Sequence, residues 1–201
     1  ACAPYRRLHL CDYNLEKMGT TKIDNTHKLL AEVCMAAKYE GGLIKTHYTG
    51  HQVTNPDSQL CTVLARSFAD IGDIVRGKDL FLGNTYESAQ REKLEKNLKD
   101  IFTQIYNDVT NDQTKKAEAE KRYNDTTNYF QLREDWWALN RETVWKAITC
   151  SEDLKNSSYF RATCGSSGET PTDDKCRCSD NQVPTYFDYV PQYLRWFEEW
   201  A

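Results

Sequence analysis

The chain has 201 residues, 39% hydrophobic and 28% charged, with 26 basic against 30 acidic side chains and a net charge of −4. That length can bury one sizeable core or two small ones, and its balanced, mixed-sign charge excludes the basic footprint of a nucleic-acid binder. No apolar run reaches the ~18 residues of a membrane span, and there is neither an initiator methionine nor a signal peptide, so the chain reads as a fragment of a larger extracellular protein.

Helical periodicity dominates. From Asp24 to Tyr39 the apolar positions Leu29, Leu30, Val33, Cys34 and Ala37 recur at three- and four-residue intervals, with Asp24 as N-cap and Gly41-Gly42 as the stop. The aperiodic stretch from Leu43 to Asn55 reads as an exposed loop. A second helix starts near Pro56, carries Leu60, Leu64, Phe68, Ile71 and Val75 on one stripe, and ends at Gly77. A third, from Glu87 to about Val109, presents Leu94, Leu98, Ile101, Phe102 and Ile105 inward. Thr110 to Arg122 lacks large apolar groups and reads as a solvated helix or flexible linker.

An aromatic-rich helix then runs from Tyr129 almost to Cys150. Its Trp136, Trp137 and Trp145 form a large buried payload, although adjacent Trp136 and Trp137 cannot both face one core line. Residues 151–183, rich in Ser, Asp, Gly, Asn and Thr, read as a loop held by its cysteines rather than by packing. A final helix begins near Pro191 with Tyr193, Leu194, Trp196, Phe197 and Trp200. Without a competing strand signal, the expected fold is all-α: a disulfide-stapled bundle of about four or five helices with long polar loops.

Eight cysteines, at positions 2, 11, 34, 61, 150, 164, 176 and 178, point to an oxidising compartment. The closest pair, Cys176-x-Cys178, is too tight for most zinc knuckles, so structural disulfides are favoured over a metal site. No cofactor is implied. His47 and His51 read as loop histidines without a third ligand, and the pairs Glu134-Asp135 and Glu198-Glu199 read as solvated faces. No catalytic constellation stands out, so the chain does not read as an enzyme.

Lys93, Lys96 and Lys99 form one basic stripe, and Lys115, Lys116, Lys121 and Arg122 another. The second is a candidate glycan-binding patch, although interleaved acids favour a charge-balanced surface. Two sequons, at Asn124 and Asn156, fit a secreted surface.

Five segments carry a resemblance: Cys11-Asp12-Tyr13-Asn14-Leu15, Ala65 to Gly77, Glu134-Asp135-Trp136-Trp137, Trp145 to Cys150, and Pro184 to Arg195. Together they closely resemble the Duffy-binding-like alpha domain, found at the head of the erythrocyte membrane protein 1 variant surface antigens of the falciparum malaria parasite. The resemblance implies that residues 1–23 end one subdomain and that 24–201 form a helical second one. It also implies that Cys2 and Cys11 have partners upstream, and hence are unpaired here or bonded to each other. Cys34, Cys61, Cys150, Cys164, Cys176 and Cys178 would then form three bridges. The preferred set joins Cys150 to Cys164, and Cys34 and Cys61 each to one of Cys176 and Cys178, because a short Cys-x-Cys segment can clamp two helix ends.

In function, the resemblance implies an extracellular adhesion module on the infected erythrocyte. Its partners would be a host cell-surface receptor or sulfated glycan, neighbouring domains of the same chain, and antibodies. The alternative is a structural spacer and immune decoy that positions a neighbouring receptor-binding domain. Residues around Phe68, Ile71, Trp137, Trp145 and Trp196 would set the scaffold, while polar segments 43–55, 78–92, 107–128 and 151–183 carry the variable contact surface.

Overall fold

The computed structural model describes residues 2–11, 15, 25–54, 60–111, 114, 116–165 and 167–200. Seven α-helices follow one another in these residues: α1 (Tyr5–Leu8), α2 (Thr26–Thr54), α3 (Leu60–Arg76), α4 (Thr85–Asn111), α5 (Lys116–Arg122), α6 (Phe130–Ile148) and α7 (Gln192–Trp200). Two 3-10 turns, Glu152–Leu154 and Phe187–Tyr189, sit in the segment between α6 and α7. The fold is all-α. The count exceeds four or five because the short α1 and α5 join the five expected helices α2, α3, α4, α6 and α7. Among the described residues the only β-type pairing is two isolated bridges, Cys164 with Thr170 and Asp174 with Arg177.

Helix α2 departs most from expectation. Its first turn is capped by Asn25, whose Oδ1 accepts the Lys28 N–H at 3.0 Å, whereas Asp24 lies outside the described residues. It does not stop at Gly41-Gly42 but continues through the expected loop to Thr54. Gly41 serves a close approach: a Cβ there would collide with the carbonyl of Ile148, where α2 crosses the end of α6. Lacking a side chain, this glycine lets two backbones touch while both neighbours remain helical. The side chains of His47 and His51 lie outside the described residues.

Helix α3 is the axis of the bundle. Its stripe is buried as expected, but so is nearly everything else from Ser67 to Arg76, because α2, α6 and the Phe187–Tyr189 turn surround it. The Phe68 ring packs 5.1 Å from Trp137 and 5.2 Å, edge-on, from Trp145. Gly72 admits Trp137, since a Cβ at that position would stand 2.7 Å from the indole. At its C-terminus Gly77 adopts φ +73°, and the buried Arg133 of α6 donates to the carbonyls of Val75 (2.7 Å) and Ile74 (3.2 Å). A cation on these orphan carbonyls is the favoured helix ending.

Helix α4 begins two residues before the expected Glu87. Asn84 accepts the N–H groups of Tyr86 and Glu87, and Glu87 in turn accepts the N–H of Asn84, which is a capping box. On α6 both adjacent tryptophans are buried, on different sides: Trp137 packs against α3, whereas Trp136 meets Phe102 at 6.2 Å and donates to Thr26 Oγ1. Within segment 151–183, Leu154, Tyr159, Cys176 and Val183 belong to the core, so it is packed as well as stapled.

Candidate functional site

Two disulfides hold this segment. Cys61 joins Cys176 and Cys164 joins Cys178, with Cα separations of 5.6 and 5.4 Å. Cys61 therefore takes one of its two expected partners, while the expected Cys150–Cys164 bridge and a bridge to Cys34 are absent. Backbone shape explains the difference. Residues 174–177 form a tight turn in which Lys175 and Cys176 both have positive φ, turning Cys176 into the core and leaving Cys178 beside Cys164. The Cys-x-Cys segment thus clamps one helix and one loop strand, not two helix ends.

Cys34 is half-buried in α2 and Cys150 is exposed just past α6, and both are free thiols. Cys2 is likewise free and exposed, so it is not bonded to Cys11, whose N–H is held by Glu40 at 2.8 Å.

Two cations of the candidate glycan patch, Arg122 and Lys116, sit beside carboxylates of this chain. Arg122 forks onto Asp135 at 2.6 and 2.8 Å, and Lys116 lies 3.8 Å from Glu120. The Asp135 hydrogen bonds raise Arg122 and hold Asp135 below the usual carboxylate range. Lys121 is exposed, and Lys115 lies outside the described residues. In the other stripe, Lys99 sits 3.9 Å from Glu95, which also receives Arg133. Surface pairs of this kind add little stability, but each offsets the charge of the cation it holds.

The periodicity does not reveal a buried polar clasp. Asp70 and Asp73 of α3 receive the buried Arg195 of α7 at 2.7 and 2.6 Å, and Asp73 also receives Arg76 at 2.8 Å. Arg6 of α1 reaches Asp70 and Glu199, Arg7 pairs with Asp79, and Gln192 donates to Asp70 and Asp79. Glu40 accepts from Ser67 at 2.7 Å. The clasp ties both terminal helices to the central one.

Burial pushes the Asp73 carboxyl up to about 6 against the pull of Arg195 and Arg76, and it raises Glu40 as well. At Asp70 burial is outweighed by Arg6 and Arg195, and the carboxyl ends below its ordinary value. For Asp73 the folded state binds the proton more tightly than the unfolded chain, whose ordinary value is 3.8. Its contribution is therefore complete below about pH 4 and lost as pH rises through about 6. Thermal melts from pH 4 to 7 should show wild type losing on the order of 3 kcal/mol relative to Asp73→Asn. Parallel curves would refute this.

Helix α7 is inverted. Its inner face carries Gln192, Arg195 and Trp196, while Tyr193, Leu194, Phe197 and Trp200 are exposed.

A cleft of about 840 Å³ opens beside α7, between the stapled loop and segment 182–190. Tyr159 forms its floor, donating to Thr185 Oγ1 at 3.2 Å, and Thr163 ties the walls by donating to the Pro184 carbonyl at 2.6 Å. One wall is fixed by the Cys164–Cys178 bridge. The other is fixed by Arg141, which donates to the Thr185 carbonyl and forks onto Asp188, itself bonded to Trp137 Nε1 at 2.8 Å. Only the cysteines and the motif Pro184 to Arg195 hint at this cleft in sequence, and neither gives its shape.

Residues 1–195 match the family described as the Duffy binding domain. Three solved structures are similar along their shared lengths. The NTS-DBL1(alpha-1) domain of Plasmodium falciparum membrane protein 1 (PfEMP1), varO strain, is 46% identical with a TM-score of 0.78 over 100% of this chain and 43% of its own. The varO NTS-DBL1-alpha and CIDR-gamma double domain is 45% identical with a TM-score of 0.79, over 100% of this chain and 27% of its own. The PfEMP1 IT4var13 DBLbeta domain bound to ICAM-1 is 33% identical with a TM-score of 0.70, over 100% of this chain and 44% of its own. The chain thus spans less than half the length of these structures. No curated protein matches it. Among the described residues no helix is long and apolar enough to cross a membrane. With the family match running through nearly its whole length and the helical fold shared, the chain belongs to the Duffy binding domain family.

Proposed function

We propose that the chain is part of an adhesion domain of a variant surface antigen, displayed outside the infected erythrocyte, that grips a host receptor in cytoadherence or rosetting while its surface varies under antibody pressure. The observation that carries this reading is its similarity to PfEMP1 domains, one of them bound to ICAM-1. Residues 1–23 are read as the end of one subdomain and 24–201 as the helical second. The docking of Arg6 and Arg7 onto α3 and its flanking loop supports a tight join between the two.

The exposed apolar face of α7 suits further chain of the same protein, as relatives more than twice this length have. The burial pattern supports dividing scaffold from contact roles: Phe68, Ile71, Trp137, Trp145 and Trp196 are buried, while the disulfide-held segment is exposed apart from anchors such as Leu154, Tyr159, Cys176 and Val183.

Flow cytometry of the oxidised, fluorescently labelled chain on erythrocytes and endothelial cells tests the reading. Saturable binding that disappears on reduction is expected. A folded chain that binds neither cell type would favour the spacer and decoy.

A further inference from the structure

We infer that the buried clasp is a mechanical latch, which passes tension directly between α1 and α7 and leaves the helical bundle, with its exposed loops, outside the path of the force. This rests on the adhesive reading, in which a tethered cell pulls on the protein. It adds a means of keeping a contact surface intact under that pull.

The two helices meet. Trp200 Nε1 of α7 donates to the carbonyl of Cys2 at 2.9 Å, across a separation of 198 positions. Beside that contact Arg6 of α1 forks onto Glu199 at 3.0 and 2.9 Å. Everything from α2 to the Phe187–Tyr189 turn is thus a loop hung between two neighbouring points, and a pull between those points falls first on the contacts that join them.

The contacts behind this junction are doubled. Asp70 of α3 holds Arg6 from one side and Arg195 from the other, each at 2.7 Å. Asp79, just beyond α3, likewise holds Arg7 of α1 and accepts from Gln192 of α7, the latter at 2.8 Å. Arg7, Asp70, Gln192 and Arg195 are all buried, so these charge-assisted bonds are shielded from water. Hydrogen bonds weaken steeply once misaligned, so the latch resists small displacements and then yields as a unit.

The bundle stands apart from the latch. Among the described residues its hydrophobic core contains no side chain of α1 or α7. The Cys61–Cys176 bridge closes 115 positions of the bundle covalently, so that part cannot be drawn out at all. Release of α7 also opens Asp70 and Asp73 to water, so neither is left as an unpaired buried charge.

Optical-tweezers measurements on the oxidised 201-residue chain, tagged at both ends, test the latch. Release of α1 and α7 should appear as a first, reversible lengthening of about 60 Å. A second, at higher force, should stop near a total of about 300 Å, where the Cys61–Cys176 bridge allows no more. In Arg6→Gln, which takes one cation from both Asp70 and Glu199, the latched state should last about tenfold less at the same force. Glu199→Gln, which leaves the Asp70 contacts in place, should shorten it less. Loss of the remote bridge in Cys164→Ala/Cys178→Ala should leave the first step unchanged.

Three results overturn the latch: a single lengthening to the full extent at every force, a first step indifferent to both Arg6→Gln and Glu199→Gln, or a first step weakened as much by loss of the Cys164–Cys178 bridge. Flow cytometry on cells reads adhesion separately. A chain that latches but binds no cell keeps the latch and loses the adhesive role, whereas one that binds cells but lengthens in one step loses only the latch.

Discussion

Replacing Asp188 by alanine is expected to destabilise the fold by about 3–5 kcal/mol, among the largest effects of any single substitution. The carboxylate is fully buried and accepts three hydrogen bonds: Trp137 Nε1 at 2.8 Å, Arg141 Nε at 2.9 Å and a second Arg141 nitrogen at 2.7 Å. Removing it leaves a mostly buried guanidinium and a buried indole N–H unpaired in the middle of the core. The damage extends to the cleft wall, because Arg141 also holds the Thr185 carbonyl. Urea unfolding would register a lower midpoint at an unchanged m-value. Asp188→Asn, which keeps an acceptor for Trp137, should fall between alanine and wild type. A loss below about 1 kcal/mol for alanine would mean that the three donors find other partners.

The two disulfides should differ in what they support. Cys61–Cys176 spans 115 positions and Cys164–Cys178 only 14. In the loop-entropy account the first contributes about 4–5 kcal/mol and the second about 3. Cys61→Ala/Cys176→Ala should therefore lower the global melting temperature most, since it also cuts the stapled loop from α3. Cys164→Ala/Cys178→Ala should mainly loosen the cleft wall and speed hydrogen exchange near residues 163–170 before the bundle melts. Equal losses in global stability and uniform exchange in both variants would contradict this division.

Sequence periodicity locates helices because it reports one face of a helix at a time, and it fails where a helix is surrounded. The stripe from Leu64 to Val75 is legible and leads directly to the Phe68, Trp137 and Trp145 core. Asp70, Asp73 and Arg76 look like solvated residues of the same helix, because nothing local says that Arg6 and Arg195 arrive from the two ends of the chain. The Gly41-Gly42 pair fails for a related reason. Two glycines in a row read as a stop, yet Gly41 is there for its small size against Ile148.

Of the candidate site, the cysteines are visible and one partner of Cys61 is foreseen. The pairing within the loop depends on positive φ at Lys175 and Cys176, which neither residue type advertises. The basic patch is legible as composition, but the pairing of its Arg122 with Asp135 needs the three-dimensional approach of α5 to α6.

Arg177 belongs to this same loop, and its guanidinium reaches back to the carbonyls of Lys146 and Thr149 and the Thr149 hydroxyl, closing the end of α6. The Tyr159 N–H bonded to Thr172 ties the two ends of the span from Phe160 to Pro171, and the Cys164–Cys178 bridge pins it once in between. Residues between such fixed points can grow in number at small expense, since doubling a flexible loop adds only about 0.6 kcal/mol of closure entropy. The rim of the cleft is therefore free to change its length and composition while the bundle beneath it keeps a single form.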